Sequence, residues 1–102
     1  MIDGLINEYR FEYHDDDDDD MVFIMGVDEE NKLKYCRYVV DEDDKPETCN
    51  HMSRVANWDD FFRLRYAISF LPEEKRESTI RDVLNMFGED IYKVIEEVIK
   101  KR

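Results

Sequence analysis

"YRFEYHDDDDDDMVFIMGV", residues 9–27, decides the fold of this chain. Its first six residues alternate aromatic and polar, Tyr9, Phe11 and Tyr13 against Arg10, Glu12 and His14. That period of two puts one face of a strand on a core. Its last seven, Met21 to Val27, are a short continuous apolar run of strand formers. Six consecutive aspartates, Asp15 to Asp20, join the two strands, and six residues is an ordinary length for such a connection.

Outward from this hairpin, "DEEN" at 28–31 has turn composition, and "KLKYCRYVV" at 32–40 brings Leu33, Tyr35, Tyr38, Val39 and Val40 as a third strand. The expected product is a three-stranded antiparallel β-meander. In a meander the ends of strands one and three point the same way. The aspartate run and the second acidic segment, "DEDDKPE" at 41–47, therefore leave the sheet at one end. Asp28, Glu29 and Glu30 belong at the other.

The period changes after residue 50. In "NWDDFFRLRYAISFLP", 57–72, Asn57 is an N-cap with Asp59 and Asp60 in the first turn, where the helix dipole favours negative charge. Trp58, Phe61, Phe62, Leu64, Ile68 and Leu71 form a broad apolar arc, with Tyr66 and Phe70 toward the other side, and Pro72 discourages continuation. "STIRDVLNMF", 78–87, opens with Thr79 three residues before Asp82, a capping-box-like pairing, and Gly88 suits a helix C-terminus. "EDIYKVIEEVIKKR", 89–102, carries Ile91, Val94, Ile95, Val98 and Ile99 on one stripe. The expected fold is α+β: the meander followed by three α-helices packed on one sheet face. The 102 residues suffice for a single domain, with an acidic β-sheet half at 1–50 and a helical half at 51–102.

Charge narrows the function. The net charge is −12, and it is one-sided. Residues 1–60 hold 19 acidic and 6 basic side chains, whereas 61–102 hold 8 and 9. A one-sided acidic field repels nucleic acid and anionic membrane and steers a basic partner inward. Direct nucleic-acid binding is thus not expected. With no run of about 18 apolar residues and no basic-then-apolar N-terminus, neither a membrane span nor a signal peptide is expected, and the chain reads as cytoplasmic. Cys36 and Cys49 then read as free thiols.

Catalytic and metal chemistry find little support. A specific calcium loop spaces its ligands and places a glycine for the turn, and the aspartate run has none. Cys36, Cys49, His14 and His51 would make a two-cysteine, two-histidine set, but their spacing matches no common zinc pattern. No nucleophile elbow, zinc-protease or phosphate-loop motif occurs. The chain is expected to be no enzyme and to carry no cofactor.

Recognition remains. An extended run advances ~3.3 Å per residue, close to the ~3.4 Å axial charge spacing of one DNA strand. In size and charge the chain resembles the small acidic phage and plasmid proteins that mimic DNA and inhibit restriction enzymes or CRISPR nucleases; the likeness lies in composition and in no motif. It implies an inhibitor that occupies the basic groove of a nuclease or other nucleic-acid-binding protein. The expected contact residues are Asp15, Asp16, Asp17, Asp18, Asp19 and Asp20, with Asp41, Glu42, Asp43 and Asp44 beside them. An aromatic anchor is needed as well, since rim charges alone give modest affinity; Tyr13, Tyr35, Tyr38 and Phe70 are the candidates, with Tyr13 and Tyr38 taken as the contact residues. Three other classes stay open: an adaptor or antitoxin-like protein using its helical, aromatic face with Tyr66 and Phe70, a homodimer through "IYKVIEEVI" at 91–99, and a metal-dependent enzyme resting on one or two specific carboxylates.

Overall fold

The alternating and apolar runs pair as strands. In the computed structural model, which describes residues 1–41 and 45–100, β1 (Leu5–His14), β2 (Asp20–Asp28) and β3 (Leu33–Val39) form an antiparallel meander. A two-residue β4 (Ser53–Arg54) extends the sheet in the order β1-β2-β3-β4, through Lys34↔Arg54 and Tyr35↔Ser53. The sequence reading stops at three strands because two residues carry no periodicity.

The register separates two faces of unlike chemistry. Phe11↔Phe23 and Met25↔Tyr35 place the rings of three strands on one face. Phe11, Phe23 and Tyr35 stack in sequence, with centroids 5.4 and 5.9 Å apart. On the other face Val22, Ile24, Ile2, Leu5 and Met52 form a buried cluster edged by Cys36, Tyr38, Val40 and Cys49. Residues Met21 to Asp28 of β2 are all buried, which explains why this strand is continuously apolar while β1 alternates.

Glycine matters where β1 is irregular. The β1–β2 register shifts between Leu5 and Asn7. Beside this bulge, where Gly26 pairs with Glu8, a Cβ on Gly26 would come within 2.6 Å of the Leu5 side chain and 2.7 Å of the Asn7 carbonyl. Any larger residue would push the strands apart. The chain start is tied in as well: the Cys49 N–H donates to the Asp3 carbonyl at 2.8 Å, and the Ile2 N–H to Glu8 Oε1 at 2.7 Å.

Two helices follow, where the sequence suggests three. Helix α1 (Trp58–Ser69) starts at a capping box: Asn57 Oδ1 accepts from the Asp60 N–H, and Asp60 Oδ2 from the Asn57 N–H, both at 3.2 Å. Arg76 caps its last carbonyl, Ser69, at 3.0 Å and also donates to the Leu71 carbonyl in the following turn at 2.8 Å. Helix α2 runs unbroken for 28 residues, Glu73–Lys100. Neither Thr79 nor Gly88 ends it. Thr79, Val83, Phe87 and Val94 form its buried row, so the apolar period stays in phase across Gly88. Continuity of that face outweighs the roughly 1 kcal/mol that an interior glycine costs relative to alanine.

The chain divides into two compact units, Met1–Arg54 and Val55–Arg102. The first holds 17 acidic and 6 basic side chains, the second 10 and 9. On α1 the buried residues are Leu64, Ala67 and Ile68. Trp58 and Phe62, which the sequence reading places in the apolar arc, are 47% and 62% exposed. The buried stripe is narrower than that arc, and these rings lie beyond its edge. No helix among the described residues is long and apolar enough to cross a membrane.

Candidate functional site

The aspartate run is a built turn. The Asp15 N–H donates to the Asp19 carbonyl at 3.1 Å and the Asp18 N–H to the Asp15 carbonyl at 3.2 Å. Asp15 Oδ1 accepts from the Asp17 and Asp19 N–H groups at 3.1 and 3.0 Å. Asp18 takes φ of 67°, a left-handed conformation that aspartate tolerates better than most residues. His14↔Asp20 is the last pair of the β1–β2 ladder. The run therefore divides into a five-residue turn, Asp15 to Asp19, and the first residue of β2.

This geometry corrects the extended ladder of charges suggested by spacing alone. A tight hairpin folds the carboxylates around one tip, so they form a cluster rather than a line. Strand pairing on both sides leaves the run no freedom to extend.

His14 closes the tip. Its Nε2 lies 2.6 Å from Asp18 Oδ1 and its Nδ1 3.0 Å from Asp20 Oδ1. A doubly protonated imidazolium donates to both, and these two carboxylates, Asp18 first, push the His14 pKa up to about 8. Near neutral pH the tip thus carries one internal cation among six aspartates. In the sequence His14 stands out only as one of the Cys36, Cys49, His14 and His51 set; the signal for its role at the tip is a histidine directly before the turn whose fourth and sixth successors are aspartates.

The second acidic segment begins beside this tip. The Val40 N–H donates to the Asp20 carbonyl at 2.9 Å, so Asp41 follows at the same end of the sheet. Glu42, Asp43 and Asp44 lie outside the described residues. Tyr13 is buried and Tyr38 half-buried against the Ile2–Leu5 cluster, so neither ring stands free as an anchor.

The opposite end of the sheet mixes its charges. Asp28 is buried, and its Oδ1 accepts from the Glu30 and Lys32 N–H groups, both at 2.9 Å. Lys34 Nζ sits 3.4 Å from Asp28 Oδ2 and donates to the Cys49 carbonyl at 3.2 Å. Burial alone would raise the Asp28 pKa, but the two N–H donors and Lys34 outweigh it and hold the carboxyl below its ordinary value. A cleft of about 490 Å³ opens here, lined by Asp28, Lys32, Lys34, Cys49 and Arg54 among others.

Neither cysteine is paired, and burial pushes the Cys36 thiol up to about 11, away from nucleophilic or ligand chemistry at neutral pH. Among the described residues no group of three or more His, Cys, Asp or Glu side chains is placed to hold a metal ion. Comparison with protein-family models, with curated proteins and with solved structures finds no match.

Proposed function

We propose that this chain is an acidic binding protein that occupies the basic, nucleic-acid-binding groove of a target such as a nuclease, and inhibits it as a DNA mimic. The observation that carries this reading is the ordered aspartate hairpin, Asp15 to Asp20, with Asp41 leaving the sheet beside it. A fixed cluster of carboxylates loses less conformational entropy on docking than a floppy acidic tail. Its field raises the encounter rate with a cationic surface. The shape is that of a tip, so the matching surface is a concavity lined by lysine and arginine where clustered phosphates would lie. Asp16 and Asp17, at the apex of the turn, would enter it first.

A second reading rests on α1. Trp58, Phe62 and Tyr66, spaced four residues apart, are all exposed, with Arg63 and Arg65 exposed on the same helix. Tryptophan, tyrosine and arginine are the residues that dominate binding hot spots. An adaptor using this helical face would need no aspartates.

One experiment separates the two. Immobilised wild-type protein and a variant with asparagine at positions 15–20 are exposed to nuclease-treated bacterial lysate. Mimicry requires a basic nucleic-acid-binding protein that the wild type retains, the variant loses, and added duplex DNA displaces. Equal capture by both removes the aspartates as the binding surface and leaves the α1 reading standing.

A further inference from the structure

Helix α2 buries one row of side chains and leaves a neighbouring apolar row open. Ile80, Leu84 and Tyr92 are 45%, 54% and 62% exposed, and they share this second row with Gly88 and the half-buried Ile95. Gly88 stands at its middle. Its φ is not positive and no turn falls there, so the backbone does not ask for glycine. Among the described residues, a Cβ on Gly88 would meet no heavy atom within 4 Å, so none of them asks for glycine there. An interior glycine weakens a helix. What it offers in return is a close approach by another backbone.

We propose that two copies of this chain associate through this face, with their α2 helices antiparallel and crossing at Gly88. The row is self-complementary about that point. Leu84 lies four residues before Gly88 and Tyr92 four after; Ile80 lies eight before and Ile95 seven after. A two-fold axis through Gly88 brings Leu84 against the partner copy's position 92, and Ile80 against its position 95, which is the isologous pairing a closed dimer requires.

Charge selects the same arrangement. At 1.5 Å per residue, Arg81 stands about 10 Å to one side of Gly88 and Glu96 about 12 Å to the other; Arg81 bonds Glu77 on its own helix at 3.2 Å, but its side chain stays 67% exposed and keeps donors for a second carboxylate. The two-fold axis places each arginine beside the other copy's glutamate. The long-range net charge of −12 per chain opposes association, so the dimer strengthens as salt screens it. The acidic tip's binding to a basic partner responds to salt in the opposite sense, so this inference stands or falls apart from the proposed function.

The test is the solution mass of the purified protein, by sedimentation equilibrium, from about 1 µM to about 1 mM at low and moderate salt. The expected result is a dimer of the 12.4 kDa chain, tighter at the higher salt. Leu84→Arg weakens it by roughly a hundredfold or more. Gly88→Ala weakens it by roughly tenfold while raising the melting temperature of the chain, a pairing of signs that no purely structural role for glycine gives. Gly88→Cys forms a disulfide between copies at position 88 on mild oxidation, identified by peptide mapping, and Lys93→Cys, on the far side of α2, does not. A monomer at every concentration overturns the proposal. So does a dimer indifferent to Leu84→Arg that leaves Gly88→Cys unlinked.

Discussion

Asp15 and Asp28 hold the same position in two successive hairpins. Each uses Oδ1 to accept the backbone N–H groups two and four residues ahead, from Asp17 and Asp19 in one case and from Glu30 and Lys32 in the other. Each turn then places a left-handed residue three positions on, Asp18 at φ 67° and Asn31 at φ 63°. The six aspartates thus contain the same turn as "DEENK", built from one residue type. The two hairpins differ in surroundings: Asp28 is buried beside Lys34, whereas the Asp15 turn faces water apart from His14.

That difference sets the cost of removing each carboxylate. Asp28→Ala leaves the Glu30 and Lys32 N–H groups without their acceptor and Lys34 with the Cys49 carbonyl alone, and should destabilise the protein by roughly 1–3 kcal/mol. Asp28→Asn keeps the turn and loses only the ion pair, at about 1–2 kcal/mol. Asp15→Ala, at an exposed turn, should cost about 1 kcal/mol or less. Urea titrations of the three variants read these values directly.

Asp28 also gives an acid-side pH dependence. Its folded pKa lies below the ordinary carboxylate value, so the stability it contributes is present above that ordinary value and is lost as pH falls through the folded one. The wild type should lose stability on acidification more steeply than Asp28→Asn, measured by urea midpoints between neutral and strongly acidic pH.

Positive φ at Asn31 gives a backbone prediction. Asn31→Gly relieves the left-handed conformation and should be neutral or stabilising by up to about 0.5 kcal/mol, whereas Asn31→Val should cost about 1–2 kcal/mol. Thermal denaturation of the pair checks the sign.

Replacing all six aspartates with asparagine should leave the fold intact. Asparagine keeps the Oδ1 acceptor at position 15 and tolerates left-handed φ at position 18. Circular dichroism and melting temperature within a few degrees of wild type are the expected result. Lost binding by this variant would then report the carboxylates, with the His14 clamp that two of them form, and not global unfolding.

How much of this was legible in the sequence follows from what each residue's neighbours reveal. The alternation of Tyr9, Phe11 and Tyr13 and the capping pair Asn57 and Asp60 declare themselves locally, because period and cap chemistry need only a few residues. The shared end of the aspartate run and Asp41 followed from topology alone. The turn inside the run was hidden, since six identical residues carry no positional signal and the pairing of His14 with Asp20 decides which of them bend. Gly88 misled for the opposite reason. Its local meaning is a helix end, and only the phase of Phe87 and Val94 on either side shows that the helix continues.

The most direct test of the ordered acidic tip is an NMR pH titration of His14, with the Asp17 and Asp19 amides followed in the same spectra. The raised pKa means that the His14 clamp is fully present below the ordinary histidine value near 6.5 and is released as pH rises through about 8. The expected result is a His14 midpoint near 8, with both amides shifting along the same curve. A midpoint near that of free histidine, with Asp17 and Asp19 exchanging as fast as an unstructured chain, would show the aspartates to be a solvated loop and remove the basis of the binding surface.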